Sequence, residues 1–259
     1  MLLGGRYELQ DTIGHGNMTT IYRGRDIRMD HVVAIKVWHD TYSTDVRFVA
    51  RFQEGAKAAS YLQHPNIVQT YDYGHTDGSY YLVMELFEGT DLRRYIHSRG
   101  VLDVKRSIDI AHDIALGLGA AHRRGIVHRN IKPQSILIGR DESIKLTGFY
   151  RVNSLGAIAY YSPEQAQGEI VGPAADVYML GSIMYQLLTG RPPFDGATPV
   201  EIAMQHIQDA PLPPRHFNSN IPPALEAIIL RCLEKVPDRR FRDGAELARA
   251  IDGLLHVSQ

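Results

Sequence analysis

The apolar residues of this chain change their spacing once, near Glu88-Gly89, and that change restricts the folds open to it. Upstream, apolar and polar residues tend to alternate, which sends successive side chains to opposite faces of a strand. Residues 7–13 alternate in this way, a glycine-containing turn follows, and 21–25 resume the pattern. The run 31–38, rich in β-branched Val32, Val33, Ile35 and Val37, reads as another strand. Two more strands are expected near 67–73 and 80–86, joined by the turn His75-Thr76-Asp77-Gly78. One helix interrupts them. Ser43, Thr44 and Asp45 are its N-cap candidates, it reaches to about Leu62, and Gly55 in its interior costs roughly 1 kcal/mol relative to alanine.

Downstream of the change, apolar residues recur at three- and four-residue spacing. Helices are expected over 92–98, 104–123, 174–189, 199–208, 223–233 and 245–255, the second closed by Arg123-Arg124-Gly125. Short apolar strands flank a loop between 126 and 150. A small strand-rich part followed by a larger helical part, with no repeat and no low-complexity linker, predicts an α+β body. Its two lobes, 1–86 and 87–259, are expected to make one domain of the whole chain, 1–259.

Composition removes several function classes. Of 259 residues, 44% are hydrophobic and 22% charged, as in an ordinary soluble globular protein. A formal net charge of -1 supplies no field to draw in nucleic acid or an anionic membrane. The lone Cys232 rules out an internal disulfide and, beside Leu230 and Leu233, reads as a small core residue. The twelve histidines show no metal-ligand spacing. No stretch approaches the roughly 18 apolar residues that span a bilayer, and no secretory signal opens the chain.

The segment carrying most chemistry is His128-Arg129-Asn130-Ile131-Lys132-Pro133-Gln134-Ser135-Ile136-Leu137. It resembles the catalytic loop of protein kinases, H-R-D-x-K-P-x-N. Val33-Ala34-Ile35-Lys36, Ser162-Pro163-Glu164 and Asp176-Val177-Tyr178 accompany it in the family's order and spacing, so the resemblance covers essentially the whole chain. Tyr160-Tyr161 and Glu164-Gln165-Ala166 are similar to the bacterial branch of eukaryotic-like Ser/Thr kinases. The resemblance implies a two-lobed protein kinase-like fold, with a β-rich lobe carrying one main helix and a larger helical lobe. It also implies a salt bridge between Glu164 and Arg240, and a role for Asp176 in holding the catalytic-loop backbone.

Against that pattern, several positions differ. Asn130 stands where the family has its catalytic Asp, and an amide has no useful basicity. Ser135 replaces the metal-binding Asn, and Gly148-Phe149-Tyr150 replaces D-F-G, removing the main metal carboxylate. Counting back from His64-Pro65 puts Gly55 where a helix Glu would pair with Lys36; Glu54 is adjacent, about 100° away around the helix. Asp141 and Glu142, the nearest acids, fall in a tight turn. The segment 148–164 contains no Thr, its one plausible phosphoacceptor is Ser154, and Gly156-Ala157 stands where a Gly-Thr pair is expected.

Other positions match. The resemblance implies a nucleotide cleft lined by Gly14, Gly16, Ile21, Ala34, Lys36, Met84, Glu85, Phe87, Lys132 and Leu137, with Thr19 in place of the third loop glycine and Tyr150 filling part of the cleft. The losses at Asn130, Ser135, Gly148 and Gly55 together imply a catalytically degenerate pseudokinase. As such it is expected to be no enzyme, to hold no metal, and to require no cofactor, with at most weak, magnesium-independent ATP binding. It would act by regulating or scaffolding a protein partner, such as an active kinase or another signalling or cell-envelope protein. The setting implied is cytoplasmic, as the cytoplasmic domain of a membrane-anchored parent. The alternative is a weakly active or unconventional ATP-dependent Ser/Thr protein kinase that uses Lys36 and Lys132 to hold phosphate.

Overall fold

Alternation in the first third becomes a six-stranded antiparallel sheet. The computed structural model describes residues 1–16, 18–39, 46–150 and 158–257, with side chains as far as residue 254. The strands are β1 (Leu2–Leu3), β2 (Tyr7–His15), β3 (Thr19–Asp26), β4 (His31–Trp38), β5 (Thr70–Thr76) and β6 (Ser79–Glu85), in the order β1-β2-β3-β4-β6-β5. Asp77 and Gly78, at φ of 47° and 81°, make the expected tight turn between β5 and β6. The strand expected from 67 begins at Thr70 instead. Ile67 and Val68 are buried and apolar, but Ile67 N donates to His64 O and keeps the backbone in a turn. Helix α1 (Val46–Ser60) carries Phe48, Phe52, Ala56 and Ala59 on its buried face. The N-cap candidates 43–45 lie outside the described residues.

The helical remainder runs β7 (Gly89–Asp91), α2 (Leu92–Arg99), α3 (Val104–His122), β8 (Ile136–Gly139), β9 (Ile144–Leu146), α4 (Pro163–Ala166), α5 (Pro173–Thr189), α6 (Pro199–Gln208), α7 (Pro223–Cys232) and α8 (Gly244–Val257), of which β7 and α4 are not among the expected elements. Capping explains several boundaries. Asp91, Asp103, Ser162 and Thr198 each accept a hydrogen bond from a backbone N–H in the first turn of α2, α3, α4 and α6. Helix α5 is buried almost all round, and α3 packs on both α5 and α8. Where α3 meets α8, a Cβ on Gly119 would lie 2.8 Å from Ala245 N, so only glycine permits that approach. Cys232 is fully buried and burial pushes its thiol up, in keeping with a core role. No helix among the described residues is long and apolar enough to cross a membrane.

The chain divides into two compact units, 1–88 with 149–154, and 89–148 with 155–259. Phe149 and Tyr150 belong to the first of these units.

One buried histidine of the second unit makes a pH prediction. His206 Nδ1 lies 2.8 Å from the Tyr178 hydroxyl, whose own ionisation is suppressed by burial. Burial, with the charge of Lys235, lowers the His206 pKa from 6.5 to about 4. Between those values the unfolded chain binds the proton more readily, so stability is expected to fall as pH drops from about 6.5 to about 4. Urea midpoints across that range check it, and His206→Gln should flatten the slope.

Candidate functional site

On strand β4 the side chains of Ala34, Lys36 and Trp38 share one face, because strand residues two apart point the same way. The ladder brings more expected residues to that face. Lys36 is opposite Ile21 on β3 and Leu82 on β6, Ala34 is opposite Met84, and Gly14 is opposite Ile21. The other face, with Val33 and Ile35, packs against Leu3, Tyr7, Tyr81 and Val83. Gly14, Ile21, Ala34, Lys36 and Met84 are therefore gathered on one side of the sheet by register. Glu85 ends β6, its carboxylate accepting from Gln69 N at 3.2 Å. Phe87 follows within the same unit.

The glycine turn between β2 and β3 closes through Gly16 N donating to Thr19 O at 2.7 Å. A Cβ on Gly16 would lie 3.1 Å from Thr19 Oγ1, so Thr19 occupies space over that glycine and is itself buried. Lys36 is half-buried, with Nζ 5.5 Å from the centre of the Trp38 ring and 5.0 Å from that of Tyr150. Glu54 is exposed on α1, and among the described residues no ion pair joins Lys36 to a carboxylate. Gly55 lies inside α1.

In the second unit, residues 128–135 form a loop held from beneath by Asp176 on α5. Its Oδ2 accepts from His128 N at 2.7 Å and its Oδ1 from Arg129 N at 2.7 Å. His122 supplies a third donor. Its Nδ1 accepts from Gly244 N at 3.1 Å, so Nε2 carries the proton and donates to Asp176 Oδ2 at 2.9 Å. All three partners leave the carboxylate with no water exposure. His128 Nδ1 likewise accepts from Asn130 N at 3.2 Å, leaving Nε2–H to donate to Thr147 O at 3.0 Å. Arg129 sits at φ 63°, and its carbonyl accepts from Gln165 Nε2 at 2.8 Å. Lys132 is half-buried, and Leu137 lies on β8 between Asp91 and Lys145.

The side chains that could hold a divalent metal do not fit one. Ser135 Oγ donates to Lys132 O at 2.8 Å and accepts from Lys132 N at 3.0 Å, so the hydroxyl closes a ring with its own loop. Gly148 offers no ligand, and its φ of 105° is a conformation that L side chains rarely adopt. Asp141 accepts from Ser143 N and Oγ in the expected turn, while Glu142, at φ 64°, pairs with Arg106. Among the described residues no cluster of three or more His, Cys, Asp or Glu could hold a metal. Ser154 and Gly156-Ala157 lie outside the described residues.

Glu164 and Arg240 form the expected buried bridge, at 2.8 and 2.9 Å through two parallel bonds. Arg240 also donates to Glu234 O, Ala174 O and Lys235 O, so every guanidinium N–H is used. Sequence reading missed His122; its only signal is its place, six residues before His128 at the end of α3. It also missed the contact of Tyr150 with Lys36.

The protein kinase domain family matches residues 7–248. A probable serine/threonine-protein kinase of Clostridium acetobutylicum is 38% identical across 99% of this chain and 40% of its own length. Serine/threonine-protein kinase PrkC of Bacillus subtilis is 40% identical across 95% of the chain and 41% of its own length. Serine/threonine-protein kinase PknB of Mycolicibacterium smegmatis is 37% identical across 95% and 42%. The chain thus spans about two fifths of the length of these curated relatives. The crystal structure of the Mycobacterium tuberculosis PknI kinase domain matches with a TM-score of 0.82 at 27% identity, covering 98% of this chain and 97% of that one.

These relatives correct three expectations. A regulatory or scaffolding pseudokinase that is no enzyme does not fit a chain similar, along nearly its whole length, to proteins named as serine/threonine kinases. Nor does the expectation that no cofactor is required, with ATP bound at most weakly and without magnesium, because this class of enzyme uses ATP with a divalent metal. The physical reason is that phosphoryl transfer asks little covalent chemistry of the protein, so side-chain losses at single positions do not by themselves define a non-enzyme. Matched over residues 7–248 and 40% identical to one such kinase, the chain belongs to the protein kinase family, in its bacterial serine/threonine branch.

Proposed function

We propose that this chain transfers the γ-phosphoryl group of ATP to serine or threonine hydroxyls of a protein substrate, with an unconventional set of side chains. The observation that carries this reading is the clamp of Asp176 on the His128 and Arg129 N–H groups, which fixes the backbone of the loop that bears Asn130 and Lys132. Catalysis of this reaction is largely positioning and electrostatics, and that scaffold is intact. In the first unit, Lys36 is the cation for the α- and β-phosphates, and Gly14, Gly16, Ile21, Ala34, Met84, Glu85 and Phe87 are the nucleotide contacts. In the second unit, Lys132 is the cation for the transferred group and Leu137 is an apolar contact to the base. None of Asn130, Ser135 and Gly148 acts as a metal ligand here, and no step is assigned to a protein-held metal.

Asn130 orients the substrate hydroxyl through its amide oxygen instead of accepting its proton. In a loose, metaphosphate-like transition state the hydroxyl loses its proton late, so the proton can pass to an oxygen of the transferred group. The new O–P bond forms as the bond to the ADP oxygen breaks, and ADP leaves with the bonding pair. The partner is a protein substrate, and the setting is the cytoplasm, within a signalling role.

Incorporation of radiolabelled γ-phosphate into a protein acceptor, with magnesium or manganese present, tests this. Lys36→Met is expected to lower the rate about 100-fold, as loss of a preorganised charge stabiliser commonly does. Wild-type protein without incorporation, or a variant as active as wild type, would overturn the assignment. Asn130→Asp is expected to raise kcat about tenfold or more by restoring a base. Gly148→Asp is the poorer reversion, because φ 105° strains any side chain there.

A further inference from the structure

The ammonium of Lys36 is flanked by two aromatic rings where the family pattern provides a carboxylate. Lys36 and Trp38 are neighbours on one face of β4, and Tyr150 belongs to the same compact unit. The Trp38 and Tyr150 rings stand edge to face, 87° apart with centres 6.0 Å apart. Both are nearly excluded from water, so the cation meets them in a partly desolvated setting. Trp38 is itself fixed by α1: its ring meets Phe52 at 4.9 Å and Phe48 at 6.4 Å, and those two stack on one another. The helix that lacks a glutamate at Gly55 therefore still braces Lys36, through aromatic packing instead of an ion pair.

We propose that Tyr150 and Trp38 are positioning residues that hold the Lys36 ammonium by a cation–π clamp in place of the helix carboxylate. A ring face attracts a cation through its quadrupole and leaves the positive charge unneutralised, whereas a carboxylate cancels it. The clamped lysine thus keeps its full charge for an anionic group. Tyr150 stands where the family carries a small residue, and a glycine there could make no such contact. The consequence for phosphate binding rests on the assignment of Lys36 given above; the clamp itself does not.

Selective 13C labelling of lysines in the full chain gives a direct readout, with the Lys36 resonance assigned by its loss in Lys36→Arg. Ring currents are expected to shift the Lys36 Hε signal away from the envelope of exposed lysines. Tyr150→Leu should move it back towards that envelope, and Tyr150→Phe, which keeps the ring face, should leave it displaced. In phosphotransfer, Tyr150→Leu should raise the KM for ATP roughly fivefold with kcat within about twofold, the size of one cation–π contact, and Tyr150→Phe should recover most of the loss. A Lys36 signal inside the envelope in the wild type, or unmoved by Tyr150→Leu, overturns the clamp. A KM unchanged in Tyr150→Leu overturns its role in nucleotide binding. Where the wild type transfers no phosphate, the kinase assignment fails and the lysine signal alone decides the clamp.

Discussion

Arg240→Ala is expected to lower the melting temperature by roughly 10 °C, the largest loss of stability from any single substitution considered for this chain. The side chain of Arg240 is wholly buried and that of Glu164 nearly so. The guanidinium ties α4 to the start of α5, through Ala174, and to the turn after α7, through Glu234 and Lys235. It also lies 4.9 Å from the centre of the Tyr178 ring. Removing it strands the Glu164 carboxylate without a counter-charge and takes one donor away from each of three backbone carbonyls. Breaking a buried ion pair from one side costs about 3–5 kcal/mol, and a chain of this size loses about 2–4 °C for each. Arg240→Lys keeps the charge but replaces a planar fork with a single ammonium, so it should fall between the alanine variant and the wild type. Thermal unfolding followed by circular dichroism measures all three. A shift below about 2 °C for the alanine variant would show that the bridge contributes little.

Asp176→Asn is expected to reduce phosphoryl transfer about 100-fold, together with a loss of stability of about 3 kcal/mol. The carboxylate accepts from two backbone N–H groups and from His122 Nε2, all without water. An amide at this position retains one acceptor oxygen and turns a donor NH2 towards a donor N–H, so at least one of the three donors is left unmade. The N–H groups at stake belong to His128 and Arg129, immediately before Asn130, so the loop backbone should shift by an ångström or so, enough to cost two orders of magnitude in a positioned reaction. His122→Gln, which keeps a donor on a flexible side chain, should cost less in both readings. Single-turnover rates, read beside urea midpoints, separate the loss of positioning from the loss of folded protein.

Much of this architecture is legible from neighbouring residues. The alternation at 7–13 and 31–38, and the helical spacing at 104–123, 199–208 and 223–233, lie within a few residues of the observed boundaries, because amphipathic period is a local property of a strand or helix. Strand β7 and helix α4 escape that test: three or four residues are too few to show a period. What makes β7 is its partner, since Gly89 pairs with Gly139 so closely that a Cβ would strike the Ile138 carbonyl. The bridge of Glu164 to Arg240 and the clamp of Asp176 were also open to expectation, but through resemblance to a family and not through any pattern in the residues themselves.

The positions of Asn130, Ser135 and Gly148 in the chain identify what side chains the loop lacks, yet they do not say what the loop does with the ones it has. Ser135 spends its hydroxyl on Lys132, and Gly148 sits at a φ that favours glycine. His122 reaches Asp176 across 54 residues and Gly244 across 122, and Tyr150 reaches Lys36 from a segment far along the chain. Nothing in the residues flanking any of these signals the contact. Short-range spacing sets which faces are apolar and where elements start, and so the lobes and their order follow from it. Which charged group meets which ring, carboxylate or N–H depends on how distant segments are brought together, and that only the tertiary structure decides.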